Sequence, residues 1–319
     1  MWDFSHPYRT ELWYNEVKDL PLKSPICIPS YRRPNAPVFS KKSKLFQIMT
    51  PQNTFIFIRN TLEELKAYVY LEDHVTLVPL PNRIEEIGLT RNFIVKWAQV
   101  HNYENIFMFD DRILDFKTLI PKLTKNNKLV MGEFKEYDTL TTLKLWEFLH
   151  TIFPTTLSGI LSKGLSWNPS NIDREFKVNS HGSNWGFCLI NVQDLKQYNI
   201  NYPDTRELGI EDMYMLYTIM NTGLPFRVFT DIFSIEIYPD QTHKLNPNSG
   251  GAIVDKSILT RDQRLFLLMN RFLEKVLKIK WGDKIPELSF MQRKKDGLKL
   301  IKLNFSKYWA PYYEQHKVK

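Results

Sequence analysis

The stretch Gly88–Ile113, GLTRNFIVKWAQVHNYENIFMFDDRI, constrains this chain more than any other. Phe93, Ile94, Trp97 and Ala98 recur at helical spacing, and Thr90 is placed to cap the helix they define. Asn102 to Asn105 break that pattern. Ile106-Phe107-Met108-Phe109 is then a short, continuous apolar run, which predicts a central strand covered on both faces. Asp110 and Asp111 follow it directly. In an open α/β sheet, residues just past the carboxyl end of a central strand line the ligand crevice. Two carboxylates there raise each other's pKa unless a cation or a donor compensates. The competing, purely structural reading makes Asp111 or Asp115 an acidic helix N-cap.

The flanking segments repeat the alternation of strand and helix. Residues 24–28 form a first strand, which Pro29 stops. The loop Pro29-Ser30-Tyr31-Arg32-Arg33-Pro34 leaves its carboxyl end with an aromatic face, a hydroxyl and two guanidinium groups. Those groups suit stacking on a base and pairing with phosphate oxygens, although a basic surface turn has the same composition. Residues 54–58 read as a second strand. Thr61 with Glu64 reads as a capping box for a helix over 62–71. Residues 74–78 read as a third strand, closed by Pro79-Leu80-Pro81-Asn82. Successive βαβ units of this kind imply an α/β fold with a mainly parallel sheet. No GxGxxG and no GxxxxGK opens a helix, so neither a dinucleotide fingerprint nor a Walker loop is present.

Residues 114–180 are less regular and are expected to form an acceptor-side insertion, with one helix over 139–153 carrying Leu143, Trp146, Leu149 and a packed His150. His181-Gly182-Ser183-Asn184-Trp185-Gly186 leads into an apolar strand over 187–190 and a helix over 192–198. The glycines there permit a ligand to approach the backbone, or a bulge. Glu211-Asp212 opens a helix that Gly223 ends, and paired acids at a helix start are electrostatically comfortable as caps alone. Strands over 226–229 and 232–238 follow, then His243 and Gly250-Gly251 in a loop, then a mostly helical remainder.

Charge is concentrated in that remainder. Residues 271–319 hold thirteen basic and five acidic side chains, so the whole net charge of +8 resides there. A solvated tail accounts for this, and so does a polyanion-binding surface, since Trp281, Phe290, Phe305, Tyr308, Trp309, Tyr312 and Tyr313 are interleaved. No apolar run is long enough to cross a bilayer, and the N-terminus lacks a basic-then-apolar leader. Cys27 and Cys188 sit in apolar runs and are expected to be buried thiols, which suits a reducing cytoplasm.

In order and spacing, these motifs resemble the GT-A glycosyltransferase fold, and within it the TET-associated glycosyltransferase family of phage DNA-modification systems. The resemblance rests on Ile28–Arg33, Gly88 with Thr90–Ile94, Phe109–Ile113, His181-Gly182 before a strand, Glu211-Asp212 on a helix, and His243 before Gly250-Gly251. It covers roughly residues 24–255. With the pattern of the chain on either side, the expected division is an N-terminal extension (1–23), a GT-A-like domain (24–258, with the insertion 114–180) and a basic, aromatic, mostly helical C-terminal segment (259–319). The resemblance implies a nucleotide-sugar donor, usually a uridine diphosphate sugar, with Pro29, Ser30, Tyr31 and Arg32 on the base and ribose side, Arg91 steadying the aspartates or the diphosphate, Asp110 and Asp111 serving ribose and metal, and Arg112 beside the phosphates. Asp212 would be the general base, with Glu211 the alternative, and His181, Gly182 and Trp185 would face the acceptor.

Where the family reads Asp-Asp-Asp, this chain has Arg112 in third position. A guanidinium there can replace a metal at the diphosphate. Alternatively Asp111 and His243 hold Mg²⁺ or Mn²⁺, or the site is inactive. The implied acceptor is a hydroxymethylated pyrimidine, of the 5-hydroxymethylcytosine type, in double-stranded phage DNA. Lys294, Lys295, Lys299 and Lys302 would neutralise its phosphates in the cytoplasm of an infected bacterium, with no membrane partner. Two other readings are a glycosyltransferase with a polysaccharide, lipid or protein acceptor, and a non-catalytic nucleic-acid-binding module.

Overall fold

The computed structural model describes residues 9–84, 86–119, 122–123, 125–126, 129–130, 134–135, 137–162, 187–202, 211–236, 289–292 and 299–302. In chain order, α1 (Arg9–Val17) precedes β1 (Ile26–Pro29), β2 (Thr54–Arg59), α2 (Leu62–Tyr68), β3 (Thr76–Leu80), α3 (Ile87–Val100) and β4 (Asn105–Phe109). Then come β5 (Ile113–Leu119), the short β6 (Lys122–Leu123), β7 (Leu129–Val130) and β8 (Phe134–Lys135), α4 (Thr139–Ile152) and β9 (Leu157–Ser162). β10 (Phe187–Asn191), α5 (Val192–Gln197), α6 (Glu211–Thr222) and β11 (Phe226–Glu236) follow, and β12 (Ser289–Gln292) and β13 (Lys299–Lys302) form a separate hairpin.

One nine-stranded sheet runs β3-β2-β1-β4-β10-β9-β11-β5-β8. Strands β3, β2, β1 and β4 are parallel, as the βαβ alternation requires. β10 then enters antiparallel to β4, with Phe187 opposite Phe109 and Asn191 opposite Asn105. β9 is antiparallel to β10, and β11 is parallel to β9. Side chains alternate along each strand, and this sorts the core into two layers. Ile106 and Met108, with Cys27 and Cys188, face α3, α5 and α6 through Ile94, Val95, Ala98, Leu195, Met215, Leu216 and Ile219. Phe107 and Phe109, with Ile26 and Ile28, face α1, α2 and α4 through Trp13, Val17, Tyr68, Leu143, Leu149 and Trp146. Trp146 is wholly buried, and its ring meets Phe107 edge-on at 5.4 Å and stacks on Phe109 at 6.1 Å.

Several expectations are corrected. Thr90 lies inside α3: Glu86 is the N-cap, accepting from Leu89 N at 3.1 Å, and the Thr90 hydroxyl donates to Glu86 O. A glutamate four residues earlier outcompetes it because its carboxylate reaches the unsatisfied amides of the first turn. β3 continues through Pro79 to Leu80, which an edge strand tolerates because its outer amides need no ladder partner. The expected strands 226–229 and 232–238 are one strand, β11, with a register shift between Phe229 and Phe233. The stretch expected as an insertion supplies β5, β8 and β9 to the main sheet itself. Within the C-terminal segment the described residues are the strands β12 and β13; the rest of the segment, expected to be mostly helical, lies outside the described residues.

Candidate active site

Topology alone locates a crevice. From β1 the chain moves outward through β2 to β3, then returns through α3 to β4 on the other side of β1. β1 and β4 therefore flank the point where strand order reverses, and their carboxyl ends open the cleft where ligands of such sheets bind. The residues at those ends are Pro29–Arg33 and Asp110–Arg112.

The second Asp of this pair is not a helix cap, because β5 follows it. Asp111 is buried and accepts from Ser30 Oγ at 3.1 Å through Oδ2 and from Arg33 NH1 at 3.1 Å through Oδ1. Burial pushes its carboxyl pKa above the usual range; Arg33 opposes that, and Asp110 adds to it. Asp115 likewise caps nothing and accepts from the Thr139 hydroxyl at 2.6 Å. Asp110 is partly exposed and lies between two guanidinium groups, Arg91 NH2 at 2.8 Å on Oδ1 and Arg112 NH2 at 2.6 Å on Oδ2. Arg91 reaches it from the first turns of α3 and is itself 3% exposed. Charge-assisted pairs of this length are strong and directional.

The β1 loop stands opposite. Pro29 ends β1 beside Phe57, and Ser30 is buried. Tyr31 carries the Arg59 guanidinium over its ring at 3.9 Å and accepts from Arg59 NH1 at 3.0 Å, while Arg32 sits 5.1 Å from the same ring. Arg59 closes β2, so three neighbouring strands contribute positive charge or its partners to one edge.

Asp212 belongs to the same edge. β9 and β11 run in the direction of β4, because two antiparallel steps through β10 restore it. α6 ends shortly before β11 begins, so its opposite end, with Glu211 and Asp212, is carried back toward the carboxyl ends of those strands. Burial pushes the pKa of the Cys188 thiol up to about 12. Cys27 and Cys188 are both free and buried, as expected.

Some contacts at this edge carry no local sequence signal. Arg33, and not its neighbour Arg32, reaches Asp111. Glu64 and Tyr68 of α2 grip the β1 loop. Thr61 does cap α2, but the Glu64 carboxylate bonds Arg32 N instead of completing the box. Only the strong β1 and β4 patterns, read with the α2 face, could have pointed there. His181, Gly182, Trp185, His243, Lys294 and Lys295 lie outside the described residues; Lys299 and Lys302 bound β13. Among the described residues, no group of three or more His, Cys, Asp or Glu side chains converges on one point.

No protein-family model matches the sequence, and no curated protein matches it. Several solved structures align with it in part. TarS of S. aureus, in complex with UDP-GlcNAc, aligns with a TM-score of 0.48 and 12% identity over 80% of this chain and 67% of that one. The mannosyltransferase PcManGT of Pyrobaculum calidifontis, in complex with GDP-Man and Mn2+, gives 0.42 and 13%, over 75% and 66% respectively. A cytidylyltransferase of Leptospira borgpetersenii gives 0.36 and 10%, over 85% and 100%.

Proposed function

We propose that this chain is a nucleotide-sugar glycosyltransferase of GT-A architecture, moving a sugar from a uridine diphosphate donor onto a hydroxymethylated pyrimidine in phage DNA. The observation that carries the reading is Asp110, held between Arg91 and Arg112 at the strand-order reversal, facing a loop of Ser30, Tyr31, Arg32 and Arg33. A crevice with four arginines against two aspartates suits an anionic, aromatic ligand such as a nucleoside diphosphate.

Each residue then has a chemical task. Pro29 and Ser30 shape the wall against the base and ribose, with Tyr31 and Arg32 beside them. Arg91 and Arg112 bring fixed positive charge to the leaving diphosphate, Arg112 turning from Asp110 as the donor enters. Asp212 takes the acceptor hydroxyl proton, with Glu211 beside it as the alternative base. His181, Gly182 and Trp185 would contact the acceptor. A divalent ion would be held by Asp111, whose oxygens each accept one hydrogen bond, from Ser30 and from Arg33, together with His243, which lies outside the described residues. Arg91 and Arg112 supply compensating charge at the diphosphate from the chain itself.

The DNA acceptor is supported by the basic C-terminal segment, where Lys294, Lys295, Lys299 and Lys302 would meet phosphates. The Arg112–Asp110 ion pair favours one competing reading, a non-catalytic nucleic-acid-binding module. Mass spectrometry of hydroxymethylated DNA incubated with the protein and a panel of nucleotide sugars separates them. A hexose or pentose mass added to the base supports transfer. Salt-sensitive binding to unmodified DNA, with no donor turnover, supports the binding module.

A further inference from the structure

Glu64 and Tyr68 stand one turn apart on α2, so their side chains leave the same face of the helix. Both meet the loop that follows β1. The Glu64 carboxylate accepts the Arg32 amide at 3.1 Å through Oε1 and at 3.4 Å through Oε2. The Tyr68 hydroxyl accepts the Arg33 amide at 2.9 Å and lies 2.8 Å from Ser30 Oγ. Arg32, between those two contacts, has φ of 52°. A non-glycine residue is held in that left-handed conformation only where its surroundings compensate the steric cost.

The direction of the bonds follows from counting protons. A serine hydroxyl has one proton, and the Asp111 carboxylate beside it only accepts, so Ser30 gives that proton to Asp111 and Tyr68 donates to Ser30 while accepting from the Arg33 amide. Ser30 in turn donates to Asp111 Oδ2, and Arg33 NH1 donates to Asp111 Oδ1. The ring Tyr68–Ser30–Asp111–Arg33–Tyr68 is thus closed, and every bond in it has one consistent donor. Tyr68 is wholly buried and Glu64 is 5% exposed, so water does not compete for these bonds.

We infer that Glu64 and Tyr68 are positioning residues: a clamp on α2 that holds the β1 loop in its kinked form and, through Ser30 and Arg33, sets the Asp111 side of the donor crevice. The functional half of this inference rests on the nucleotide-donor reading above. The clamp itself rests only on these hydrogen bonds.

Tyr68→Phe keeps the ring that packs against Phe39 and removes only the hydroxyl. Residue-resolved amide exchange is measured first, in the full chain. The Arg33 amide should exchange about tenfold faster in Tyr68→Phe while the Arg32 amide keeps its protection, since a missing bond lowers the local opening free energy. Glu64→Ala should expose the Arg32 amide, and Glu64→Gln should restore it, because the amide oxygen still accepts. Unchanged exchange at Arg33 in Tyr68→Phe, or no rescue by Gln, overturns the clamp. Uridine diphosphate binding is then titrated by calorimetry. About a tenfold weaker Kd for Tyr68→Phe, with Glu64→Gln near wild type, supports the donor-side role. Equal affinity in a protein whose loop has loosened overturns that role. If the wild-type chain binds no nucleoside diphosphate, the donor reading fails, while the exchange data still decide whether the clamp exists.

Discussion

His150 makes the stability of this protein depend on pH in a way that can be worked out beforehand. It lies on the inner face of α4, 3% exposed, with Nδ1 2.7 Å from Ser158 Oγ. Ser158 also accepts the Trp146 indole N–H at 2.9 Å. Nε2 has no hydrogen-bond partner among the described residues, so nothing there supports a second ring proton. Burial lowers the pKa of the ring from 6.5 to about 3. The folded value is below the unfolded one, so the unfolded chain takes up the proton first as pH falls. The contribution of His150 is therefore intact above about pH 6.5 and is lost progressively toward pH 3. Between pH 7 and pH 5 the loss is about 2 kcal/mol, at about 1.4 kcal/mol for each pH unit below the unfolded pKa. Buried Asp111 and Glu64, whose pKa values are raised, contribute with the opposite sign, favouring the fold at low pH and losing that effect as pH rises. His150→Gln does not titrate and leaves those carboxyls in place. Urea unfolding of both proteins at pH 7 and pH 5 gives the double difference. Wild type should lose about 2 kcal/mol more than the variant across that interval. Equal losses would refute a buried, neutral His150.

Further outcomes are expected at the site and beyond it. Asp212→Asn should change stability by about 1 kcal/mol or less, keep donor binding, and lower transfer about a hundredfold or more; near wild-type turnover would pass the base to Glu211. Arg91→Ala should weaken the thermal shift produced by uridine diphosphate, measured against the variant's own baseline, since losing its ion pair to the partly exposed Asp110 also lowers stability by itself. Neutralising Lys294, Lys295, Lys299 and Lys302 should flatten the log–log salt dependence of DNA binding by about 0.9 for each phosphate that is no longer neutralised; an unchanged slope would assign those charges to solubility. Trp146→Ala, which empties the centre of the Phe107, Phe109 and Phe116 cluster, should destabilise by about 3–5 kcal/mol in denaturant titration.

Short-range pattern by itself determined a good deal of this protein. The apolar runs at Ile26–Ile28, Thr54–Ile58, Ile106–Phe109 and Phe187–Ile190 became strands, and the 139–153 periodicity became α4 with His150 packed inside. Burial of Cys27 and Cys188, and the end of α6 at Gly223 with its φ of 78°, were equally local matters. So was the placing of Asp110 at a strand's carboxyl end. Periodicity reports which face of a segment is covered, and end signals report where the backbone must turn. Neither reports what lies alongside. That Asp111 meets Ser30 and Arg33 depends on β1 pairing with β4 across roughly eighty residues of chain. In sequence Glu64 reads as a capping partner because its nearest signal is Thr61, and only the packing of α2 over β1 turns it toward Arg32. The antiparallel entry of β10, and the return of α6 that brings Asp212 to the Asp110 edge, are likewise decided by which strands pair. The physical reason is range: a side chain's own neighbours in sequence set its conformation and its face, whereas its charge partners are set by strand order, which the whole sheet chooses together.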